Sequence, residues 1–167
     1  MTANQLILPE NVCFGCGQDN SHGLHVTVRR DPKDPNRILG RFEPRDHMIG
    51  FPGITHGGAI YTALDCMASW SGMVLRNSGA LWVLRSAAMK YHRPALQGQP
   101  LSLSATIESG DGDPWKAIEV KAEAHNAMEE LLTEGQFKCI PVPPEKFKTM
   151  TGMKELPANW QRFLESR

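Results

Sequence analysis

The sequence predicts an α+β domain in which an antiparallel sheet packs against one long helix. Several segments alternate apolar and polar residues, which is typical of strands with one buried face. Residues 58–76 instead carry apolar side chains at spacings of three and four, which is typical of a helix packed on a core. The predicted order is two strands, the long helix and then four strands, and this order favours the α+β class.

The first two strands are predicted to form a hairpin. Residues 24–29 are expected to be the first strand, because apolar residues alternate there with polar ones. Residues 31–36 contain two prolines and two aspartates, which indicates a turn. The second strand is expected over residues 38–42.

The long helix is expected to run from Gly58 to Arg76 and to be buried on most sides, because it is rich in small and apolar residues. The motif Asn77-Ser78-Gly79 is expected to end it. Its predicted core face consists of Ile60, Leu64, Met67, Ser71 and Val74, widened by Ala63, Ala68 and Leu75.

Four further strands are predicted over residues 81–92, 101–108, 115–125 and 131–142, with a hairpin connection at residues 126–130. Pro157 is expected to open a short helix near the end of the chain. We therefore expect an irregular segment over residues 1–23, one domain over residues 24–142 and a tail over residues 143–167.

Composition narrows the class of protein. The 167 residues are 41% hydrophobic, which fits one domain with a sizeable core. The 18 basic residues balance the 18 acidic ones, so the chain lacks the basic footprint of a nucleic-acid binder. No apolar run reaches the roughly 18 residues that a membrane span needs. The first residues lack the basic and apolar regions of a signal peptide, so we expect a cytoplasmic protein with reduced cysteines.

Asp65 is the leading candidate for a functional carboxylate. It falls within the apolar predicted helix, where an unpaired charge is costly. An aspartate on a solvated helix face is the ordinary alternative. However, the residues three, four and seven positions away include Ala68 and Gly72, and small neighbours leave space for a ligand.

His56-Gly57-Gly58 directly precedes this helix. Backbone N–H groups at a helix start lack partners within the helix, and glycines allow a ligand to approach the backbone closely. An oxyanion formed from a thioester or ester fits such a turn. A plain helix start with an incidental histidine is the alternative, but Asp65 follows His56 by only nine residues.

With these motifs the chain resembles the hotdog-fold acyl-CoA thioesterases, in particular the phenylacetate-degradation type and the related human thioesterase superfamily members. The resemblance is carried by Gly50-Phe51-Pro52-Gly53-Ile54-Thr55-His56-Gly57-Gly58, by Asp65, by Tyr91-His92-Arg93-Pro94, and by Cys13-Phe14-Gly15-Cys16-Gly17 with Asn20 and Gly23-Leu24.

The resemblance implies a curved antiparallel sheet wrapped around one long central helix. It also implies a homodimer or homotetramer with active sites at the dimer interface. Asp65 would act as general base or nucleophile, the Gly57 N–H of the partner subunit would polarise the carbonyl, and His56 would shape the turn. The expected substrate-binding residues are Gly58, His47, Phe51 and Arg93.

Two departures from the family pattern concern the positioning of water. Relatives often carry Asn or Gln ahead of the histidine-glycine-glycine motif, where this chain has Gly50 and Phe51, and His47 is the expected substitute. Relatives also often have Ser or Thr near the place of Leu84, and here Ser86 is the nearest hydroxyl in sequence. Arg85, Lys90 and Arg93 are expected either to hold coenzyme A phosphates or to be solvated charges.

Cys13 and Cys16, together with His22 and His25, raise the question of a zinc site. The spacings differ from those of a zinc finger and no second C-x-x-C motif exists, so we expect a tight N-terminal turn and no metal. Cys66 is expected to point away from Asp65 into the core.

The expected function is hydrolysis of an acyl-CoA thioester, with coenzyme A as part of the substrate and no bound cofactor. A non-catalytic acyl-CoA binding or regulatory protein of the same fold is the alternative. A hydratase is disfavoured, because the helix acid and glycine turn suit carbonyl polarisation better. The sequence also lacks G-x-S-x-G and the glycine-rich phosphate-binding motifs.

Overall fold

A six-stranded antiparallel sheet surrounds a long helix in the computed structural model, which describes residue 6 and residues 8–76, 79–110 and 112–166. The sheet order is β1-β2-β6-β7-β8-β5, and β3 and β4 form a separate small hairpin. The strands are β1 Thr27–Arg30, β2 Arg37–Phe42, β3 Ile49–Phe51, β4 Ile54–Thr55, β5 Leu81–Tyr91, β6 Leu101–Ser109, β7 Ile118–His125 and β8 Leu131–Val142, and the helices are α1 Gly57–Leu75, α2 Pro144–Thr151 and α3 Ala158–Glu165.

The helix α1 contacts every strand of the six-stranded sheet, so the sheet curves around it. The predicted core face is confirmed, since Ile60, Leu64, Met67, Ser71 and Val74 are all buried. Inward side chains of the sheet, such as Phe42 and Phe137, are fully buried against this face. Burial of these side chains contributes about 1.5–3 kcal/mol each. The predicted α+β class, with a sheet wrapped around one helix, is confirmed.

Two strand predictions begin too early. Residues 24–26 are not part of β1, although Leu24 and Val26 are buried as the alternation requires. Their N–H groups instead donate to the carbonyl oxygens of Phe14 and Gly15, at 2.7 and 3.0 Å, and His25 adopts a positive φ of 55° that interrupts an extended strand.

The strand predicted from Trp115 begins only at Ile118. Trp115 is 50% exposed, and its N–H donates to the Asp113 carboxylate at 2.8 Å, so this aromatic residue belongs to a turn. The predicted end of the long helix at Asn77 and Ser78 lies outside the described residues, while α1 itself ends at Leu75.

The tail forms two short helices, of which the sequence predicted the second. Phe163 and Leu164 of α3 are buried, and the Phe163 ring packs edge-on against Trp70 of α1 at 5.6 Å between centroids. The tail therefore covers the later part of α1. No helix in the described part of the chain is long and apolar enough to span a bilayer.

Within the described part of the chain, the strand β5 pairs with β8 alone and lies at one edge of the sheet. It is eleven residues long, and the stretch from Arg85 to Ala88 is exposed. Long open edges are rare in stable monomers because their unpaired backbone groups attract other strands.

Candidate active site

His56 caps α1 and leaves one free donor beside it. Its ring Nδ1 accepts a hydrogen bond from the Gly58 N–H at 2.9 Å, which satisfies that group. The Gly57 N–H, by contrast, donates to no acceptor in the described part of the chain. Since the start of a 19-residue helix favours negative charge, Gly57 presents a donor for an anionic oxygen. Gly58, predicted to contact substrate, has its own N–H occupied.

A groove of about 410 Å³ opens at this helix start. Four of the predicted site residues line it, namely Phe51, His56, Gly57 and Arg93. Phe51 is 74% exposed, which is unusual for a phenylalanine and is consistent with a surface that a ligand or second chain covers. Arg93 donates to the Leu131 carbonyl at 3.4 Å and keeps a charged end at the groove.

Tyr91 is a site residue that the sequence analysis did not assign a role. Its hydroxyl donates to the Gly57 carbonyl at 3.2 Å, and a Cβ placed on Gly57 would lie 3.3 Å from its ring. The ring therefore fits against the glycine closely. A role for Tyr91 could have been predicted from its position at the end of a strand, two residues before the Arg93-Pro94 turn.

Asp65 is half-buried in the middle of α1. Within the described residues, its carboxylate makes no hydrogen bond and no ion pair. Burial, with a smaller contribution from the negative charge of Cys13, raises the pKa of Asp65 to about 6. A carboxylate with such a pKa accepts a proton more readily than an ordinary aspartate and is still mostly ionised at neutral pH.

Gly57 and Asp65 do not meet within one chain. Eight residues separate them along the same helix, which corresponds to about 12 Å at 1.5 Å per residue. A single carbonyl group cannot contact both at hydrogen-bond distance. The two predicted catalytic groups can therefore act together only if a second copy of the chain supplies one of them.

The inner face of β5 runs alongside α1. Tyr91 meets Gly57 at one end, and Trp82 packs on Gly72 at the other. Asp65 lies about midway between these glycines, at the level of the exposed stretch of β5. This part of β5 carries small or apolar inward residues, Leu84 opposite Cys139 and Ala87 opposite Phe137.

Ser86 does not replace the hydroxyl that Leu84 lacks. Residues directly opposite one another in an antiparallel pair share a face, and Ser86 lies opposite Lys138, whereas Leu84 lies opposite the buried Cys139. The strand has a bulge between Leu84 and Ser86, which changes the side on which the next residues fall. Ser86 therefore lies on the face away from α1.

The remaining predicted residues lie on the surface. His47 is exposed in a single 3-10 turn, Asp46–Met48, and does not line the groove. Arg85 and Lys90 are exposed on β5 and remain available for a phosphate or for solvent.

The core position predicted for Cys66 is confirmed. Cys66 is only 9% exposed, as expected for the core, but it lies beneath the N-terminal turn, with its sulfur 3.9 Å from that of Cys13. The sulfurs of Cys13, Cys16 and Cys66 all lie within 4.8 Å of one another. His25 is not part of this group, because its ring nitrogens contact Arg45 and the Asn20 carbonyl at 2.6 and 2.5 Å.

Comparison with known proteins agrees with this fold. Residues 52–111, which contain the glycine turn and Asp65, match the family described as the thioesterase superfamily. No protein with curated annotation matches the sequence. The resemblance to thioesterases that the sequence predicted is confirmed.

Three solved structures illustrate the similarity. The Escherichia coli PaaI protein from the phenylacetic acid degradation operon has a TM-score of 0.59 and 15% identity, covering 71% of this chain and 80% of its own. A hypothetical thioesterase of Streptococcus pneumoniae with coenzyme A has a TM-score of 0.59 and 12% identity, covering 71% and 86%. A Streptococcus mutans protein bound to acetyl-CoA has a TM-score of 0.56 and 16% identity, covering 65% and 82%. At these identities the likeness shows the fold, and the predicted hotdog fold is confirmed.

Proposed function

We propose that this chain, which resembles the thioesterase superfamily, hydrolyses acyl-CoA thioesters to a free acid and coenzyme A. The observation that carries the proposal is the pairing of two unsatisfied groups on one helix. Gly57 offers a free N–H at the helix start, and Asp65 offers a half-buried carboxylate without a partner. Acyl transfer needs a donor for the oxyanion and a group that activates water, and these two groups are of the right chemical type.

The proposed site is shared between two copies of the chain. Because Gly57 and Asp65 are about 12 Å apart along α1, the Gly57 N–H of one subunit works with Asp65 of the other. The open edge of β5 is the surface through which we expect two copies to pair, as a homodimer or as part of a homotetramer. The exposed Phe51 and the groove at the helix start would then be partly covered.

The chemistry follows from these roles. With Asp65 as general base, the carboxylate takes a proton from water, and the water oxygen bonds to the thioester carbonyl carbon. The resulting oxyanion accepts a hydrogen bond from the Gly57 N–H. Collapse of this intermediate breaks the carbon–sulfur bond, and the departing coenzyme A thiolate takes up the proton. With Asp65 as nucleophile, its oxygen would bond to the carbonyl carbon, and the carbon–sulfur bond would break to release the coenzyme A thiolate. Water would then cleave the resulting anhydride to the free acid and the Asp65 carboxylate, and its proton would go to the thiolate.

The groove at the helix start suits the coenzyme A part of the substrate. Arg93 places a positive charge at its rim, and Phe51 offers an apolar surface. Acetyl-CoA and coenzyme A are bound by two of the similar proteins, which supports an acyl-CoA ligand here. In this proposal His56 shapes the turn, since its ring accepts a hydrogen bond from the Gly58 N–H.

A non-catalytic acyl-CoA binding protein is the second candidate. It is favoured by one observation, the absence of a side chain to orient water on the inner face of β5 near Asp65. Leu84 cannot hydrogen-bond, and Ser86 lies on the opposite face. In this case the groove and Gly57 would hold the thioester without hydrolysis.

A panel of acyl-CoAs separates the two candidates. Released coenzyme A is measured with a thiol reagent, after subtraction of the signal from the exposed Cys13 of the protein itself. A thioesterase would release many molecules of coenzyme A per protein chain. A binding protein would instead show saturable acyl-CoA binding without release of coenzyme A. Light scattering at micromolar protein tests the shared site, and a species of only 18.5 kDa would contradict it.

A further inference from the structure

Three thiols from two distant parts of the chain meet beside the helix that carries Asp65. Cys13 and Cys16 belong to the N-terminal turn, defined here as residues 13–17, and Cys66 belongs to α1. Their sulfurs all lie within 4.8 Å of one another, and those of Cys13 and Cys66 are 3.9 Å apart. All three are free thiols. In a tetrahedral site with zinc–sulfur bonds of about 2.3 Å, neighbouring sulfurs are about 3.8 Å apart.

The backbone holds this spacing in place. The Gly17 N–H donates to the Cys13 carbonyl at 2.9 Å, which closes the turn, and the Asn11 side chain accepts from the Cys13 N–H at 3.0 Å. A side chain at Gly15 would collide with the Cys66 sulfur, so the turn sits directly on α1. The three sulfurs are thus brought together by main-chain geometry.

Two side-chain N–H groups lie beside the cluster. The buried Asn11 amide donates to the Cys16 sulfur at 3.4 Å. The Trp70 indole lies near the same sulfur. That indole N–H is buried and has no hydrogen-bond partner among the described residues. A donor directed at sulfur, such as the Asn11 amide, is typical of the surroundings of metal-bound thiolates, because a neutral thiol is a weak acceptor.

We propose that Cys13, Cys16 and Cys66 bind a thiophilic divalent cation, with Zn²⁺ as the preferred ion, and thereby fasten the N-terminal turn to α1. Soft thiolate ligands select ions of this kind. No fourth His, Cys, Asp or Glu of the described residues joins the group, so a water or another small ligand completes the coordination. Cys13 is exposed, which gives the ion a route to the site.

This assignment differs from the sequence expectation for a specific reason. The expectation of no metal considered His22 and His25 as the partners of Cys13 and Cys16. The third ligand is instead a cysteine 53 residues from Cys13, on a helix. The proposal does not depend on thioesterase activity, and its test involves no acyl-CoA.

The test titrates the reduced, chelator-treated full chain with Cd²⁺, whose thiolate complexes absorb in the ultraviolet, and then with competing Zn²⁺. We expect about one ion per chain, as a single site of this kind holds one metal. We also expect bound metal to protect Cys13 and Cys16 from a thiol reagent. Elemental analysis of the Zn²⁺-loaded protein after dialysis provides an independent count.

Cys13→Ser and Cys66→Ser should each weaken binding by on the order of 10²-fold or more, because each removes a ligand. Cys139→Ser is the matched control, since Cys139 is a buried cysteine of β8 outside the cluster, and it should bind metal as the wild type does. If Cys66→Ser fails to fold, the exposed Cys13→Ser variant still decides the question.

Three results would overturn the proposal. One is a reduced wild-type protein that binds neither Cd²⁺ nor Zn²⁺. Another is unchanged binding in both the Cys13→Ser and Cys66→Ser variants. The third is a reduced protein that binds no metal while hydrogen peroxide joins two of the three cysteines in a disulfide, which would assign the cluster to redox chemistry instead.

Discussion

The Tyr91 hydroxyl donates a hydrogen bond to the Gly57 carbonyl at 3.2 Å and so links the end of β5 to the start of α1. The same peptide region presents the free Gly57 N–H. Because β5 is also the open edge of the sheet, one side chain connects the expected dimer surface with the expected oxyanion donor. Contacts between subunits and the geometry of the donor are therefore expected to depend on each other.

Tyr91→Phe should reduce turnover while leaving the fold intact. The ring still packs on Gly57, but the hydrogen bond that fixes the turn is lost. We expect kcat to fall by about tenfold and the free energy of unfolding to fall by about 0.5–1.5 kcal/mol, the usual net value of one hydrogen bond. Steady-state kinetics and urea denaturation measure the two effects. Wild-type kcat in the variant would show that this bond has no role in positioning Gly57.

Gly57→Pro should remove the oxyanion donor without breaking the helix. Proline is favoured at the first helical position, and the preceding His56 already has an extended backbone, with φ −61° and ψ 131°. We expect kcat to fall by about 10²–10³-fold, as for loss of one oxyanion donor. The matched control is Gly57→Ala, which adds the same Cβ beside Tyr91 but keeps the N–H. Equal losses in both variants would assign the effect to crowding.

Asp65→Asn should abolish most of the turnover and preserve substrate binding. The amide has the same shape but cannot accept the proton of the attacking water. We expect kcat to fall by at least ~10²-fold. In the wild type, kcat/KM should decline below about pH 6, because burial and the nearby Cys13 raise the pKa of Asp65 to about that value. An unchanged acyl-CoA affinity in the variant, measured by calorimetry, is the control for folding. Near wild-type turnover would exclude Asp65 as the general base or nucleophile.

Asp31→Asn should lower stability at neutral pH and not in acid. The Lys33 N–H at 2.8 Å, followed by the Arg37 guanidinium at 2.6 Å, holds the pKa of this buried carboxyl below its usual value. A lowered folded-state pKa stabilises the protein above the unfolded pKa of about 3.9 and loses that effect as pH falls below it. Urea denaturation should show the variant to be less stable at pH 7, with a difference that shrinks towards pH 3. Asp34→Asn, in the same turn but only half-buried, is the control.

Much of the fold follows from periodicity. Each end of α1 was predicted to within one residue, and both ends of β8 were predicted correctly. The reason is that a long buried element imposes a regular pattern of apolar residues on the sequence. The hairpin β3–β4 was not predicted, since all three residues of β3 are exposed and carry no apolar alternation. The early start predicted for β1 has a related cause, because burial at Leu24 reflects contact with the N-terminal segment and not a strand.

The site was predicted only as far as local spacing allows. Phe51, His56, Gly57 and Arg93 do share one groove. Spacing along the sequence could not reveal that Tyr91 binds the Gly57 carbonyl from a strand 34 residues away, or that Cys66 lies under Cys13. The bulge between Leu84 and Ser86 could not be predicted from the sequence either. This bulge determines which of these two side chains is directed towards α1.

The central claim, a site shared between two copies, is tested most directly by mixing two inactive variants. Asp65→Asn and Gly57→Pro proteins are unfolded together, refolded as a mixture and assayed for acyl-CoA hydrolysis. Half of the randomly formed dimers would contain one of each chain, and one of the two sites in such a dimer would have both Asp65 and Gly57 intact. The account predicts recovery of about one quarter of wild-type activity per chain. If the mixture stays at the level of the separate variants, while wild type refolded in the same way is active, the shared site is contradicted.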